Sequence, residues 1–515
     1  MQKLDAILVL DFGGQYCHLI ARRVRECGVY SETVPHDISP SQMKRLGQRL
    51  RVKGLILSGG PSSVYEKRAP ECDVRIFQLG VPVLGICYGH ELIARLFGGE
   101  VRPASAKEFG SSLALIDKPV GLMEGLDKVE KVWMSHSDSV FRLPSGWEVL
   151  AHTQSSPIAA FRHATKPVFG VQWHPEVVHT DKGQRILENF VLRICDCTPG
   201  RTMQSFVRNA VEEIKQMAGD DRCIVALSGG VDSSTATVLA SKAVGDNLVA
   251  VFVDHGFMRE GEPEFVERTF RGFPMRLMVV DARNRFLRSL KGVRDPERKR
   301  SIIGREFIRV FEDVSRKVKA RHLVQGTIHP DRIESGLTRR SERIKTHHNV
   351  AGLPAKVKFK TIIEPLRNLY KDEVRTVAEE LRLPREIIRR QPFPGPGLAV
   401  RICGEITREK VKVARRADRI VTEEMEKAGL AEGLWQYFAV LTDTRSTGVK
   451  GDSRAYGYTV AIRAVESEEA MTAKSARIPY ETLERASTRI TNEIPQVTRV
   501  VYDVTAKPPA TIEWE

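Results

Sequence analysis

Zinc-spaced cysteines are missing from this 515-residue chain: its eight cysteines, at 17, 27, 72, 87, 195, 197, 223 and 403, form no CxxC pair and no Cys/His set. That excludes a zinc finger or ribbon and leaves ordinary reduced thiols. Cys195 and Cys197, two positions apart, are expected on one face of a strand. No run approaches the roughly 18 apolar residues of a bilayer span, so no membrane partner is expected. The opening Ala6-Ile7-Leu8-Val9-Leu10 resembles a β-strand and lacks a small-residue cleavage site, which makes the cytoplasm the expected location. Aromatics are few, at 7%, and no aromatic-interleaved basic groove accompanies the formal charge of +15. The excess falls in separate runs, among them Arg298-Lys299-Arg300, Arg339-Arg340 and Arg389-Arg390. A phosphorylated small substrate and a solvated basic surface account for them as well as a polyanion does, and no nucleic-acid partner is expected.

What is present is a repeated α/β rhythm in a chain long enough for several cores. Short apolar strands at 6–10, 52–57 and 83–86 alternate with helices at 16–26 and 91–97, and shorter strands fill 132–170. A helix at 183–194 closes this part, and Cys197-Thr198-Pro199-Gly200 reads as a linker. Strands at 223–227, 248–253, 275–280 and 322–325 resume the rhythm as far as the Pro/Gly break at 391–397. Long strands at 435–441, 455–465 and 497–504 and a helix at 411–428 follow. The expected fold is two successive parallel-sheet α/β domains, 1–197 and 198–391, and a smaller α+β domain, 392–515, its sheet covered by helices on one face or by a partner subunit.

Two centres carry chemistry. In the first, Cys87 lies between the run Val83-Leu84-Gly85-Ile86 and Tyr88-Gly89-His90, which leads into the helix at 91–97. A nucleophile on a sharp strand-to-helix turn stands above the sheet edge, where helix amides favour a thiolate and an oxyanion. Buried packing is the plain alternative for a lone cysteine. His174 and Glu176, two apart in Gln172-Trp173-His174-Pro175-Glu176, can project together as base and orienting acid for Cys87.

These residues resemble the class I glutamine amidotransferases over roughly 5–195. The resemblance implies attack of Cys87 on the glutamine side-chain amide, release of ammonia and hydrolysis of the thioester. It also implies an oxyanion hole from the N–H groups of Gly60 and Tyr88. The chain departs from the family's glutamine in having Glu91, a residue to cap the helix or to meet the substrate's ammonium.

The second centre is Ser228-Gly229-Gly230-Val231-Asp232-Ser233-Ser234, a phosphate cradle between strand and helix without the lysine of the common P-loop. Asp232 would repel phosphate unless a divalent cation intervened, so Mg²⁺ is expected beside ATP as co-substrate. The run resembles the PP-loop of the N-type ATP pyrophosphatases, which adenylate an oxygen and release pyrophosphate. By that resemblance Val253 and Asp254 lie on the adenine side.

Gly326 to Asp331, Ile344 to Asn349 with His347-His348, Phe393 to Ala399 and the ending Lys507 to Glu515 are similar to the family of glutamine-hydrolysing GMP synthetases. That resemblance implies xanthosine monophosphate (XMP) as acceptor, held by Gly395, Pro396, Arg401, Lys507, Thr511, Ile512 and Glu513, with Gly326 at the ATP site. It places Asp295 to Arg300, with Lys299, in a mobile lid, and implies a homodimer through 392–515. Surface solvation remains open for the lid and domain packing for the tail, and the paired histidines receive no definite role. A second glutamine-dependent adenylating amidotransferase, such as NAD synthetase, and a tRNA-modifying PP-loop protein are the rivals. The Cys-His-Glu set argues against the first, and the lack of sulfur-transfer cysteines against the second.

Overall fold

The computed structural model describes residues 3–47, 50–200, 203–329, 359–467 and 472–515, in two compact units, Met1–Thr202 and Met203–Glu515. Among the described residues no helix is long and apolar enough to cross a membrane.

The first unit is built on β1 (Leu4–Asp11), α1 (Cys17–Glu26), β2 (Tyr30–Pro35), α2 (Pro40–Leu46), β3 (Leu50–Leu57), β4 (Val83–Ile86) and α3 (Tyr88–Leu96). It continues with β5 (Glu100–Ile116), β6 (Val129–Arg142), β7 (Trp147–His152), β8 (Ala160–His163), β9 (Val168–Val171) and α4 (Gly183–Glu188). Nine strands form one sheet in the order β2-β1-β3-β4-β9-β8-β7-β5-β6. The first five run parallel, and the rest pair antiparallel. Of the parallel strands, β1, β4 and β9 are buried on both faces, which is why they appear in the sequence as unbroken apolar runs.

The helix expected over 183–194 is present, its second half, Asn189–Ile194, wound as a wider π-helix. One expectation fails here. Cys195 and Cys197 then lie on no strand: Asp196 between them has φ +49°, which breaks extended alternation, and both thiols are buried.

The second unit opens with α5 (Met203–Ala218), β10 (Cys223–Ala226), α6 (Val231–Val244), β11 (Leu248–Asp254), α7 (Glu262–Phe270) and β12 (Arg276–Asp281). It goes on through α8 (Arg283–Ser289), α9 (Pro296–Val318), β13 (His322–Val324), β14 (Thr361–Ile363), α10 (Lys371–Glu380) and α11 (Arg385–Ile388). Its first sheet is wholly parallel, in the order β12-β11-β10-β13-β14. After the Pro/Gly break come α12 (Arg408–Lys427), β15 (Gln436–Lys450), β16 (Ser453–Glu466), β17 (Lys474–Ser475), α13 (Tyr480–Glu493) and β18 (Val497–Tyr502). Here β16 pairs antiparallel with β15 and parallel with β18, and α12 and α13 pack against this sheet. One hydrophobic core joins Ile224 and Val249 to Ile402, Ile420 and Ile462, so the break bends the chain without separating two cores.

The segment Asp295 to Arg300 forms the capped start of α9. Asp295 accepts from the Arg298 N–H at 2.7 Å, and Pro296 pre-sets the first turn. Lys299 is fully buried there, its Nζ bonded to Glu515 and, at 2.8 Å, to the Ile402 carbonyl.

Candidate active site

The first centre forms where β4 ends. Cys87 sits at φ +52° between β4 and α3, a left-handed conformation that a non-glycine residue adopts only when its surroundings impose it. Its N–H donates to the Val171 carbonyl at 2.9 Å, tying the turn to neighbouring β9. The turn is crowded: a side chain at Gly85 would strike the Gly89 carbonyl, and one at Gly89 would strike Leu57.

His174 and Glu176, just beyond β9, reach the same place. His174 Nδ1 is 2.7 Å from Glu176 Oε1, and both side chains are buried. Burial works against a charged imidazole, but Glu176 and then Cys87 outweigh it and hold the His174 pKa well above its ordinary value. The thiol, the imidazole and the carboxylate therefore form one connected array, with the Tyr16 ring edge-on to His174 at 5.1 Å.

Cys87, His174, Gly60 and Tyr88 line one cavity of about 540 Å³. Tyr88 opens α3, so its N–H belongs to the first helical turn, whose amides have no partner within the helix. On the wall formed by β6, His136 lies between the Asp138 carbonyl at 2.8 Å and Glu108 at 3.2 Å. Glu91 completes the wall from α3. It accepts from Gln172 Nε2 at 2.8 Å, and burial pushes its carboxyl up to about 8. His90, one residue earlier, points away from the cavity lining and stacks on Phe161 at 4.4 Å, and burial lowers its pKa to about 3.

The second centre lies at the carboxyl ends of β10, β11 and β13, the edge at which open parallel sheets bind ligands. Ser228 to Ser234 runs from β10 into the first turn of α6. Ser233 Oγ is 2.8 Å from Ser228 Oγ and 3.1 Å from the Gly230 carbonyl, and the N–H groups of Ser228 and Gly230 donate to Ser233 Oγ and Ser228 Oγ, so the serines tie the loop together. Gly326 passes so close that a Cβ there would lie 3.0 Å from Asp232 C and Ser233 N. Val253 and Asp254 end β11, and Asp254 Oδ1 accepts from the Gly256 N–H at 2.9 Å.

Two cations at this edge escape sequence reasoning. Lys371, at the start of α10, pairs with Asp232 Oδ2. Arg390 donates to the Gly229 carbonyl at 3.1 Å and pairs with Glu262. The signal for Lys371 was the absence of a lysine inside the loop, which calls for a cation from elsewhere. Arg390 was taken for one of a solvated basic pair. Two oxygens still lack partners: Asp232 Oδ1 and Ser234 Oγ are both buried and unbonded. An unpartnered carboxylate oxygen on the first helical turn after a phosphate loop suits a hard cation such as Mg²⁺, which takes few protein ligands and completes its shell with phosphate and water.

The tail residues come together in part. Arg401 is fully buried and donates to Glu513 through Nε at 3.0 Å and Nη2 at 2.9 Å, and to Asp418 through Nη1 at 3.2 Å. Gln436 also donates to Glu513, at 3.2 Å. Thr511 caps the Glu513 carbonyl, Ile512 is buried, and Gly395 and Pro396 lead into the short 3₁₀ turn Gly397–Arg401. The guanidinium of Arg401 thus orients Glu513 instead of standing open to a ligand. Lys507 is anchored through its backbone, its N–H donating to the Ala473 carbonyl at 2.8 Å. His347, His348 and Asp331 lie outside the described residues.

Comparison with known proteins matches three domain families in order. Residues 8–194 match glutamine amidotransferase class-I, 202–384 the PP-loop domain and 423–514 the GMP synthase C terminal domain. The GMP synthase [glutamine-hydrolyzing] of Caldicellulosiruptor saccharolyticus is 54% identical over 99% of both chains. That of Symbiobacterium thermophilum is 54% identical over 100% of both, and that of Thermomicrobium roseum 53% identical over 99% of this chain and 97% of its own.

Proposed function

The chain belongs to the glutamine-hydrolysing GMP synthases, and from that premise we propose how its residues divide glutamine-dependent, ATP-driven GMP synthesis. The observation that carries the division is the presence of two chemically complete centres: the Cys87-His174-Glu176 array and the Ser228 to Ser234 loop.

At the first, His174 holds the proton that Cys87 gives up, and the sulfur attacks the side-chain amide of glutamine. The Gly60 and Tyr88 amides receive the charge that develops on the oxygen. His174 returns the proton to the departing ammonia, and water then hydrolyses the thioester to glutamate. Glu176 keeps the imidazole oriented and stabilises its charged form. Gly85 and Gly89 let the turn pack closely enough to hold these groups in register.

At the second, the loop amides and the hydroxyls of Ser228, Ser233 and Ser234 grip the phosphates of ATP. Val253 and Asp254 flank the adenosine, and Gly326 allows close approach of the chain. Asp232 would hold Mg²⁺, whose charge would offset that of the phosphates during departure of pyrophosphate. XMP is the acceptor: its C2 oxygen attacks the α-phosphorus, pyrophosphate leaves, and ammonia then displaces AMP to give GMP. Gly395, Pro396, Lys507, Thr511, Ile512 and Glu513 bind XMP, with Arg401 orienting Glu513. The three functional segments are 1–197, 198–391 and 392–515.

Incubation with ATP, Mg²⁺ and XMP, with either glutamine or ammonium, should yield GMP, AMP and pyrophosphate in equal amounts. Formation of ADP and phosphate in place of AMP would reject cleavage at the α-phosphorus, and absence of GMP with both nitrogen sources would reject the whole reading.

A homodimer accompanies this reading. Val449, Tyr456, Val501 and Val504 are exposed on the last sheet and its edges, an apolar set that a second copy would cover. The solution mass of the chain should be twice the 57.8 kDa of one copy, and a monomer at micromolar concentration would contradict the proposal.

A further inference from the structure

The glutamine cavity is acidic. Among the described residues that line it, Glu66, Glu91 and Asp138 are acids and none is a lysine or arginine. Such a wall meets the carboxylate of an amino acid only with hydroxyls, amides and backbone N–H groups, and its acids suit the ammonium. Of the three acids Glu91 is the most enclosed, at 4% exposure, and among the described residues it has no cationic partner. It lies one helical turn after Cys87, with its N–H bonded to the Cys87 carbonyl at 3.1 Å. A turn rises about 5.4 Å, comparable with the length of a glutamine side chain. A glutamine with its amide carbonyl at Cys87 therefore has its α-ammonium within reach of Glu91.

The partner of Glu91 is unusual. Gln172 is fully buried; its Nε2 donates to Glu91 Oε1 at 2.8 Å, while its Oε1 has no donor at all. A buried amide oxygen without a donor is costly. An ionised Glu91 can only accept, and leaves that oxygen orphaned. A protonated Glu91 carries an O–H, which can supply the missing bond and close a two-bond acid–amide pair.

We infer that in the empty site Glu91 is stored as the neutral acid against the Gln172 amide, and that it loses its proton to solvent when glutamine brings its α-ammonium there. Glutamine binding by this chain is then proton-linked. The inference rests on the reading of the Cys87 cavity as the glutaminase site.

The surroundings favour storage of the proton. Burial is the main cause of the upward shift to about 8; the Gln172 hydrogen bond opposes it, and the negative Asp138 on β6 adds to it. Tyr88 on the same helix, Cys87 at the elbow, His174 beyond β9 and His136 on β6 share the cavity, and Glu108 from β5 is held by His136. Near pH 7 the free acid is mostly neutral, and a bound ammonium pulls its pKa down. Affinity for glutamine should accordingly rise by up to about tenfold per pH unit below 8 and level off above it.

The test uses the full chain with Cys87→Ala, which cannot turn glutamine over and has no thiol to titrate. Glutamine binding is measured by calorimetry at pH 7 in two buffers of different ionisation enthalpy. Release of between one half and one proton per glutamine is expected, and Glu91→Gln in the same background should abolish it. Glu91→Asp should retain it. Equal release with and without Glu91, or no release at all, would overturn the inference.

Should Glu91→Gln fail to fold, Gln172→Met removes the amide that holds the stored proton. It should change the pH at which affinity rises, and an unmoved profile would equally overturn the inference. The two readings fail separately: if the unaltered chain hydrolyses glutamine but binds it without proton exchange, only the linkage is wrong; if it hydrolyses none, the site assignment is wrong.

Discussion

Cys87→Ala is expected to abolish glutamine-dependent GMP synthesis, by about 10⁴-fold or more, while ammonium still supports it at close to the original rate. The size follows from the cooperation of such arrays: removing the nucleophile costs about as much as removing the whole set, since base and oxyanion donors then have no reaction to assist. The selectivity follows from chemistry. Ammonia supplied from solution bypasses the thioester, and the phosphate loop with its partners Lys371 and Arg390 lies wholly in the second unit. Alanine is a mild choice. Cys87 already holds φ +52°, so alanine inherits the same backbone strain, and the buried sulfur leaves only a small void. Parallel assays with glutamine and ammonium, with glutamate release as a third readout, test this. Retained glutamine use within tenfold would remove Cys87 from its role. Loss of both activities in a chain with an unchanged melting transition would contradict the division of labour.

How much of this was legible in the sequence depended on separation along the chain. The Cys87 elbow and the Ser228 to Ser234 loop are each a strand end, a tight turn and a helix start within a few residues, so local rules suffice. His174 and Glu176 are two apart in the turn just beyond β9, so their meeting at 2.7 Å is local even though the backbone there is not extended. Other contacts were closed to such rules: Gln172 meets Glu91 across 81 positions, Lys371 meets Asp232 across 139, and Lys299 meets Glu515 across 216. These pairings are set by strand order and by which helix end faces which loop.

The helix α9 was legible for a different reason: behind its run of charges, the buried Ile303, Val310, Phe311, Val314 and Val318 recur at helical spacing. The thiols at 195 and 197 failed because alternation counts only where the backbone is extended, and Asp196 is not. The Pro/Gly break at 391–397 was correctly placed as punctuation. Beyond it, however, Leu398, Ala399 and Ile402 return to the core that also holds Ile224 and Val249. Composition marks where a chain turns; apolar partners at long range decide whether a core ends there.

Asp232→Ala should depress synthesis with glutamine and with ammonium alike, by about 10²–10³-fold, because ATP activation precedes entry of either nitrogen source. That is the range expected when a metal-binding carboxylate and the charge stabilisation it brings are lost. The surroundings of Asp232 set the direction. Oδ2 is paired with Lys371, while Oδ1 is buried without a partner. An acid so placed, at the first turn of a helix that follows a phosphate loop, adds negative charge where the polyphosphate must sit, unless a cation stands between them. Removing it therefore has two opposing effects: Lys371 is freed to approach phosphate directly, and the cation loses its anchor. If the cation dominates, the variant should need much higher Mg²⁺ for half-maximal rate, and its defect should shrink as Mg²⁺ rises. If Lys371 compensates instead, ATP affinity would hold while the rate falls and the Mg²⁺ dependence stays put. Unchanged kinetics in ATP and Mg²⁺ would remove Asp232 from the site. The companion change Lys371→Ala separates these cases. It should weaken ATP binding in the original chain, and should add little on top of Asp232→Ala if the ion pair acts as one unit.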